Sequence, residues 1–357
     1  MLTTMRCALL LLVLTSPAFG QADLAIPQPS TPRQDSLIRA GTALHDQGRY
    51  DEAMALYREA LNENPSNTEA LYEISYTCFA KKDLDESLRY AKEGVRYRSR
   101  HLPLLYLNMG NVLDNQGKSD DAIGAFKQGI LLDPGNHLLR YNLGLAYHRR
   151  NSLDSARACY QRALEINPAH ASSHQAIAAV YNEMGKTVPR VFALGRFLVL
   201  EPNSKRSKPV LDALVQELER SVKVEGSDPR RVTITLPRDS DNVDGDLTVL
   251  ELGLATTWAG RRSDNEPPRT DVQWRVHGFQ SFFRIMLEVC EKNSFPGFRW
   301  TYYAPYYIEM ERRGLTEAFV YLISRSSDDQ EVMAWLNANR EKIRELLNWS
   351  KAYTWSH

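Results

Sequence analysis

Gly41-Thr-Ala-Leu-His-Asp-Gln-Gly48-Arg49-Tyr50-Asp51-Glu52-Ala53, continued by Tyr57, Ala60 and Pro65, is the stretch on which the fold turns. Its small and aromatic residues fall at helical spacing on both sides of a polar glycine turn, and a proline closes the run. The series returns as Gly110, Gly117, Ala122, Phe126, Gly129 and Pro134, and again as Gly144, Leu153, Ala156, Tyr160, Ala163 and Pro168. Between the first and third copies, Ser75, Leu84, Ser87, Ala91 and Gly94 hold the same slots without the closing proline. A fifth copy shows Ala178, Tyr181, Gly185 and Pro202. A period of about 34 residues means a helical solenoid. Each unit reads as two antiparallel helices, where Gly or Ala on the facing ridges lets the backbones approach and a nearby Tyr, Phe or Leu fills the hole. Asp51, Glu52, Asp120, Asp121 and Asp154 fall at the start of second helices, where negative charge favours the dipole. One unit cannot bury its apolar face alone, so the units must stack.

This combination of small, aromatic and proline positions resembles the tetratricopeptide repeat, over roughly Ser36 to Ser204. The resemblance implies a mainly α fold, a right-handed solenoid of about five helix pairs whose first helices line a concave groove for an extended peptide or a partner's helix. Carried over by register, the groove slots are Tyr72 and Tyr76, Asn108 and Asn111, Tyr141, Asn142, His148 and Arg149, and Gln175. Asn side chains both donate and accept, so a row of them suits a peptide backbone of any sequence, and Arg149 suits a carboxylate. Any one of these Asn residues also fits a merely solvated face. The family's carboxylate clamp asks for Asn where this first repeat has Thr42, so the clamp is incomplete. The fifth copy departs further. It has Arg190 and Phe197 where earlier copies have small residues, and its second helix, Val191 to Leu200, is the most apolar, which predicts a joint to the region that follows.

Residues outside the repeats divide into an address, a linker and a second region. Arg6, the apolar run Ala8 to Leu14, and Ala18 and Gly20 three and one residues before Gln21 predict a cleaved secretory signal peptide over residues 1–20. That run is too short for a transmembrane anchor, which needs roughly 20 apolar residues. The expected setting is exported, periplasmic or extracellular. Pro27, Pro29 and Pro32 predict an extended linker over 21–35. Lysine plus arginine and aspartate plus glutamate balance at 44 each, which excludes the electrostatic footprint of a nucleic-acid binder. The cysteines of the exported chain, Cys78, Cys159 and Cys290, read as small buried hydrophobes.

All 6 tryptophans lie after Ser204, and residues 205–357 read as a Trp-rich, mainly helical domain with at most a short strand at Val232–Leu236. Helices are expected over Pro209–Val224, Leu247–Ala259, Ser281–Glu291, Trp300–Arg313, Thr316–Ile323 and Gln330 to about Tyr353. Ser240 to Glu251 approximates a calcium loop, but Ser240 stands where the first ligand should be Asp. The aromatic run Phe295 to Tyr307 either stacks on the sugar rings of a glycan or packs a core around a kink at Pro305. No nucleophile elbow, metalloprotease motif or phosphate-cradling glycine loop is present, and no cofactor or metal is assigned. His277, Glu309 and Glu311 are the titratable residues of interest there. The expectation is a non-enzymatic scaffold that binds a protein or peptide in the groove, with glycan binding by the aromatic region as the alternative.

Overall fold

The computed structural model describes residues 24–220, 222–224, 232–234, 248–259, 269–292 and 297–355. The expected signal peptide and residues 240–247 of the acidic loop lie outside the described residues. The chain is an α solenoid followed by a helical C-terminal region, and contacts divide it into two compact units between Lys118 and Ser119.

The first unit holds α1 (Pro32–Asp46), α2 (Tyr50–Glu63), α3 (Thr68–Ala80), α4 (Leu84–Gly94) and α5 (Leu102–Asn115). Thr31 starts α1 with a capping box: its hydroxyl accepts from Gln34 N at 3.3 Å, and Gln34 Oε1 accepts from Thr31 N at 3.2 Å. Ahead of it the proline-bearing segment is extended and tied to interhelical loops. Ala25 N donates to Arg96 O at 3.1 Å, Arg98 N to Ala25 O at 2.8 Å, and Gln28 N to Ser66 Oγ at 2.8 Å.

Close helix pairing decides residue choice inside the unit. A Cβ at Gly41 would lie 2.5 Å from the Tyr57 ring, so the buried tyrosine occupies the space a side chain would need. The degenerate second copy meets the same problem with a reciprocal pair, Ser75 Oγ donating to Ser87 O at 3.0 Å and Ser87 Oγ to Ser75 O at 2.7 Å. Between α1 and α2 the chain turns through a left-handed residue, Gly48 at φ 75°, and Lys82 at φ 64° takes that role between α3 and α4.

The second unit begins with α6 (Ser119–Leu132), α7 (His137–Arg149), α8 (Leu153–Ile166), α9 (Ala171–Glu183) and α10 (Thr187–Leu200). Gly144 sits against Tyr160 as Gly41 does against Tyr57, with a notional Cβ 2.6 Å from the ring. α10 is buried on nearly every side, packed by α9, by α11 (Ser207–Glu219), by α12 (Thr248–Ala259) and by α15 (Thr316–Ile323). Arg190, unexpected from the repeat pattern, forms an ion pair with Glu217 of α11, whose side chain is fully buried. One apolar cluster runs from Ala156 and Tyr160 through α10 to Trp355.

Several elements of the C-terminal region differ from expectation. α11 ends at Glu219, and Val222–Val224, expected on that helix, forms β1, antiparallel to β2 (Val232–Ile234) with Val222 opposite Ile234. α13 (Asp271–Lys292) begins ten residues before the expected start, because Val272 and Phe279 in its early turns are buried. Pro305 lies just past a π-helical turn in a continuous helical run. It stands in the first turn of α14 (Ala304–Arg312), into which the π-helical turn, Arg299–Tyr303, leads directly. The last expected helix is broken at Asn339 into α16 (Gln330–Ala338) and α17 (Arg340–Ala352). Both the Asn339 N–H, at 2.9 Å, and its side-chain amide, at 3.0 Å, donate to Trp335 O.

Candidate functional site

On the first unit the helices assemble a row of rings. His45 of α1 lies 5.1 Å from Tyr50 and stacks on Tyr76 of α3 at 5.0 Å. Tyr76 stacks on Tyr72 at 6.1 Å, and Tyr72 on His101, which precedes α5, at 6.3 Å. Tyr76 is 42% exposed, so the row is open to solvent. His45 Nδ1 bonds Thr77 Oγ1 at 2.8 Å and His101 Nδ1 bonds Thr68 Oγ1 at 3.3 Å, which fixes both imidazoles. Burial lowers the pKa of each below 6.5, so both rings are neutral at pH 7. Beside them Glu73 is half-buried. Desolvation, then repulsion from Glu69 and Asp46, raises its pKa to about 7, against a stabilising bond from Tyr57.

Tyr72 and Tyr76 thus stand where the register puts them, in a shared surface. Asn108 does not. It is 3% exposed, and its amide points to Ser75 Oγ at 3.5 Å, filling the hole between α3 and α5, so no ligand can use it. Asn111 is partly exposed on α5. His45, His101 and Glu73 were not singled out in the sequence, because only the packing of α1 on α3 and α3 on α5 gathers them.

On the second unit, Tyr141 meets His170 edge-on at 4.9 Å, and His170 meets His137 edge-on at 4.9 Å. Desolvation lowers the His170 pKa to about 4. Gln175 is already engaged: Arg206 donates to its Oε1 at 3.2 Å and to Ser172 Oγ at 3.1 Å, pairs with Glu201, and lies 5.1 Å above the Phe197 ring. His148 Nε2 is 2.8 Å from Glu183. Asn142 is partly exposed and Arg149 exposed on α7.

Among the described residues of the aromatic run, Trp300, Tyr302, Tyr303, Tyr306 and Tyr307 are core. Trp300 is 6% exposed and Tyr303 and Tyr306 0%; Tyr306 stacks on Trp349 at 4.9 Å and on Trp355 at 5.0 Å, and Tyr303 meets Tyr302 edge-on at 5.0 Å. The glycan expectation therefore finds no open ring face at Tyr303 or Tyr306. A cavity of about 930 Å³ does open beside Trp300, Glu309, Trp349 and Tyr353, but Glu309 in it is paired with Arg313 at 2.8 Å. Glu311 accepts from Arg284 at 3.1 Å and from Thr316 at 2.6 Å, and His277 packs on Trp274 and does not line the cavity. Cys78, Cys159 and Cys290 are free thiols.

Residues 44–99 and 107–171 each match the family described as tetratricopeptide repeat. The helix pairs over these residues are tetratricopeptide repeats. Human protein O-mannosyl-transferase TMTC2 is 30% identical over 101 residues, covering 28% of this chain and 12% of that protein. Human protein O-mannosyl-transferase TMTC1 is 25% identical over 186 residues, 51% of this chain and 21% of that protein. The chain thus spans about a fifth or less of these relatives. The crystal structure of a thermophilic tetratricopeptide protein of Thermus thermophilus covers 52% of this chain and 98% of its own at 23% identity, with a TM-score of 0.43. The tetratricopeptide fold in general supports a protein-interaction scaffold. No helix among the described residues is long and apolar enough to cross a membrane.

Proposed function

We propose that the chain is an exported scaffold that holds a partner protein by docking an extended segment of it on first-helix faces. The observation that carries this reading is the open row of His45, Tyr76, Tyr72 and His101, whose amphipathic rings are ordered by side-chain bonds yet leave Tyr76 42% exposed. Export rests on the signal-like residues 1–20 and sets the partner in the periplasm or outside the cell.

Two measurements test it. N-terminal sequencing of chain recovered from its own host should begin at Gln21; a retained Met1 overturns export. Cross-linking in the envelope or secreted fraction should trap a partner on wild type and lose it with Tyr76→Ala or with the Tyr141→Ala, Asn142→Ala double variant. A partner retained by all of them moves the working surface away from these faces.

A further inference from the structure

The cavity of about 930 Å³ lies within the second unit and has the size of a small-ligand site. Leu287 of α13, Pro305 and Ile308 of α14, Trp349 of α17 and Tyr353 just after it give the cavity an apolar wall. Among the described residues that line it, the four charged ones form two ion pairs, Glu309 with Arg313 at 2.8 Å and Glu291 with Arg312 at 3.5 Å. Each pair leaves most of its groups unused. Arg313 donates through Nε and Arg312 through one terminal nitrogen, and each carboxylate accepts at a single oxygen. A guanidinium has five N–H donors and a carboxylate two oxygens, and at least 36% of each of these side chains is exposed, so the unused groups are accessible. The lining is thus charge-balanced, with both signs on offer. A ligand of one net charge meets a like charge beside every opposite one, whereas a ligand with one ammonium and one carboxylate is matched at both ends.

We propose that this cavity binds a short apolar peptide with free ends, its side chains against Leu287, Pro305 and Trp349, its ammonium on the carboxylate of one pair and its carboxylate on the guanidinium of the other. An extended tripeptide places its ends about 10 Å apart at about 3.3 Å per residue, which suits two pairs rather than one. The site belongs wholly to the second unit and does not rest on the ring row of the first.

Equilibrium dialysis of the full chain against tritiated trileucine tests this, with unlabelled competitors. Trileucine should bind saturably at one site. N-acetyl-trileucine, which lacks the ammonium, and trileucine amide, which lacks the carboxylate, should each compete about tenfold more weakly, and triserine should not compete. Ala352→Trp, at an exposed position that lines the cavity, fills the space and should abolish binding. Glu309→Gln and Arg313→Gln should each weaken trileucine about tenfold while leaving one of the two blocked forms unaffected. Equal competition by trileucine and both blocked forms overturns the matched ends, and competition by triserine overturns the apolar wall. Binding that survives Ala352→Trp lies elsewhere and overturns the site, as does the absence of saturable binding.

Discussion

The Tyr307 hydroxyl donates a 2.6 Å hydrogen bond to the carbonyl of Phe192, and the two rings stack at 5.0 Å. The last repeat helix is therefore anchored to α14 through its backbone as well as its side chains. Its neighbour Gly195 is part of the same contact, because a Cβ there would meet Tyr307 Oη at 2.8 Å and Phe319 Cζ at 3.2 Å.

On an exposed helix Gly→Ala stabilises by up to about 1 kcal/mol. Gly195→Ala should do the opposite, costing about 1–3 kcal/mol through overpacking. Urea denaturation followed by circular dichroism measures it, and a stabilised variant would mean that Tyr307 moves aside freely.

Lys82 occupies a left-handed turn, φ 64°, that glycine fills at Gly48. Lys82→Gly should stabilise the first unit by about 0.5–1 kcal/mol, the left-handed penalty less glycine's entropy cost. Thermal melting of the variant beside Gly48→Ala, expected to shift the other way, checks the sign.

His174 is fully buried, with Nδ1 2.7 Å from Tyr303 Oη and Nε2 3.0 Å from Pro168 O. The carbonyl only accepts, so Nε2 carries the proton and Nδ1 accepts from the tyrosine. Desolvation, with the Arg196 charge, lowers its pKa from 6.5 to about 3. The neutral form is favoured on folding, so its stabilising contribution is present above pH 6.5 and is lost as pH falls from there towards 3. His174→Gln, which can keep a donor and an acceptor, should flatten the fall in melting temperature between pH 6.5 and 4; an unchanged acid slope refutes the assignment.

Glu73 titrates with the opposite consequence. Its carboxyl has a folded pKa raised to about 7, so its contribution is present below about pH 4.5 and is lost as pH rises through 7. Glu73→Gln should raise the melting temperature at pH 8 and leave it nearly unchanged at pH 4.5. A variant less stable at pH 8 would mean that the ionised carboxylate is held by a partner.

The repeats were legible because their chemistry is local: glycine at a close approach, tyrosine in the hole it leaves, proline at the stop. Even Arg190, which broke the pattern, marked a real joint, since its partner Glu217 belongs to the helix that replaces another repeat. The ring row was half legible. Tyr72 and Tyr76 follow from register, but His45 joins them from α1 and His101 from the residue ahead of α5, and Asn108 shows that a polar residue in a groove slot also serves to fill a hole between helices. In the C-terminal region no repeat constrained the reading. Apolar spacing located most helices, yet the break at Asn339 and the pairing of β1 with β2 depend on single backbone conformations and distant partners that spacing does not encode.

The sheathing of α10 has a consequence for how such an array changes length. A helix that still offered a repeat-like flank would accept another unit behind it, whereas Phe197, Val199 and the buried Arg196, bonded to Tyr306 at 3.1 Å and Ser350 at 2.5 Å, are already committed to a different neighbour. Duplication of a unit directly after Leu200 would strand that cation away from its hydroxyls. Insertion at this end therefore costs those bonds, which insertion upstream of the fifth unit leaves in place.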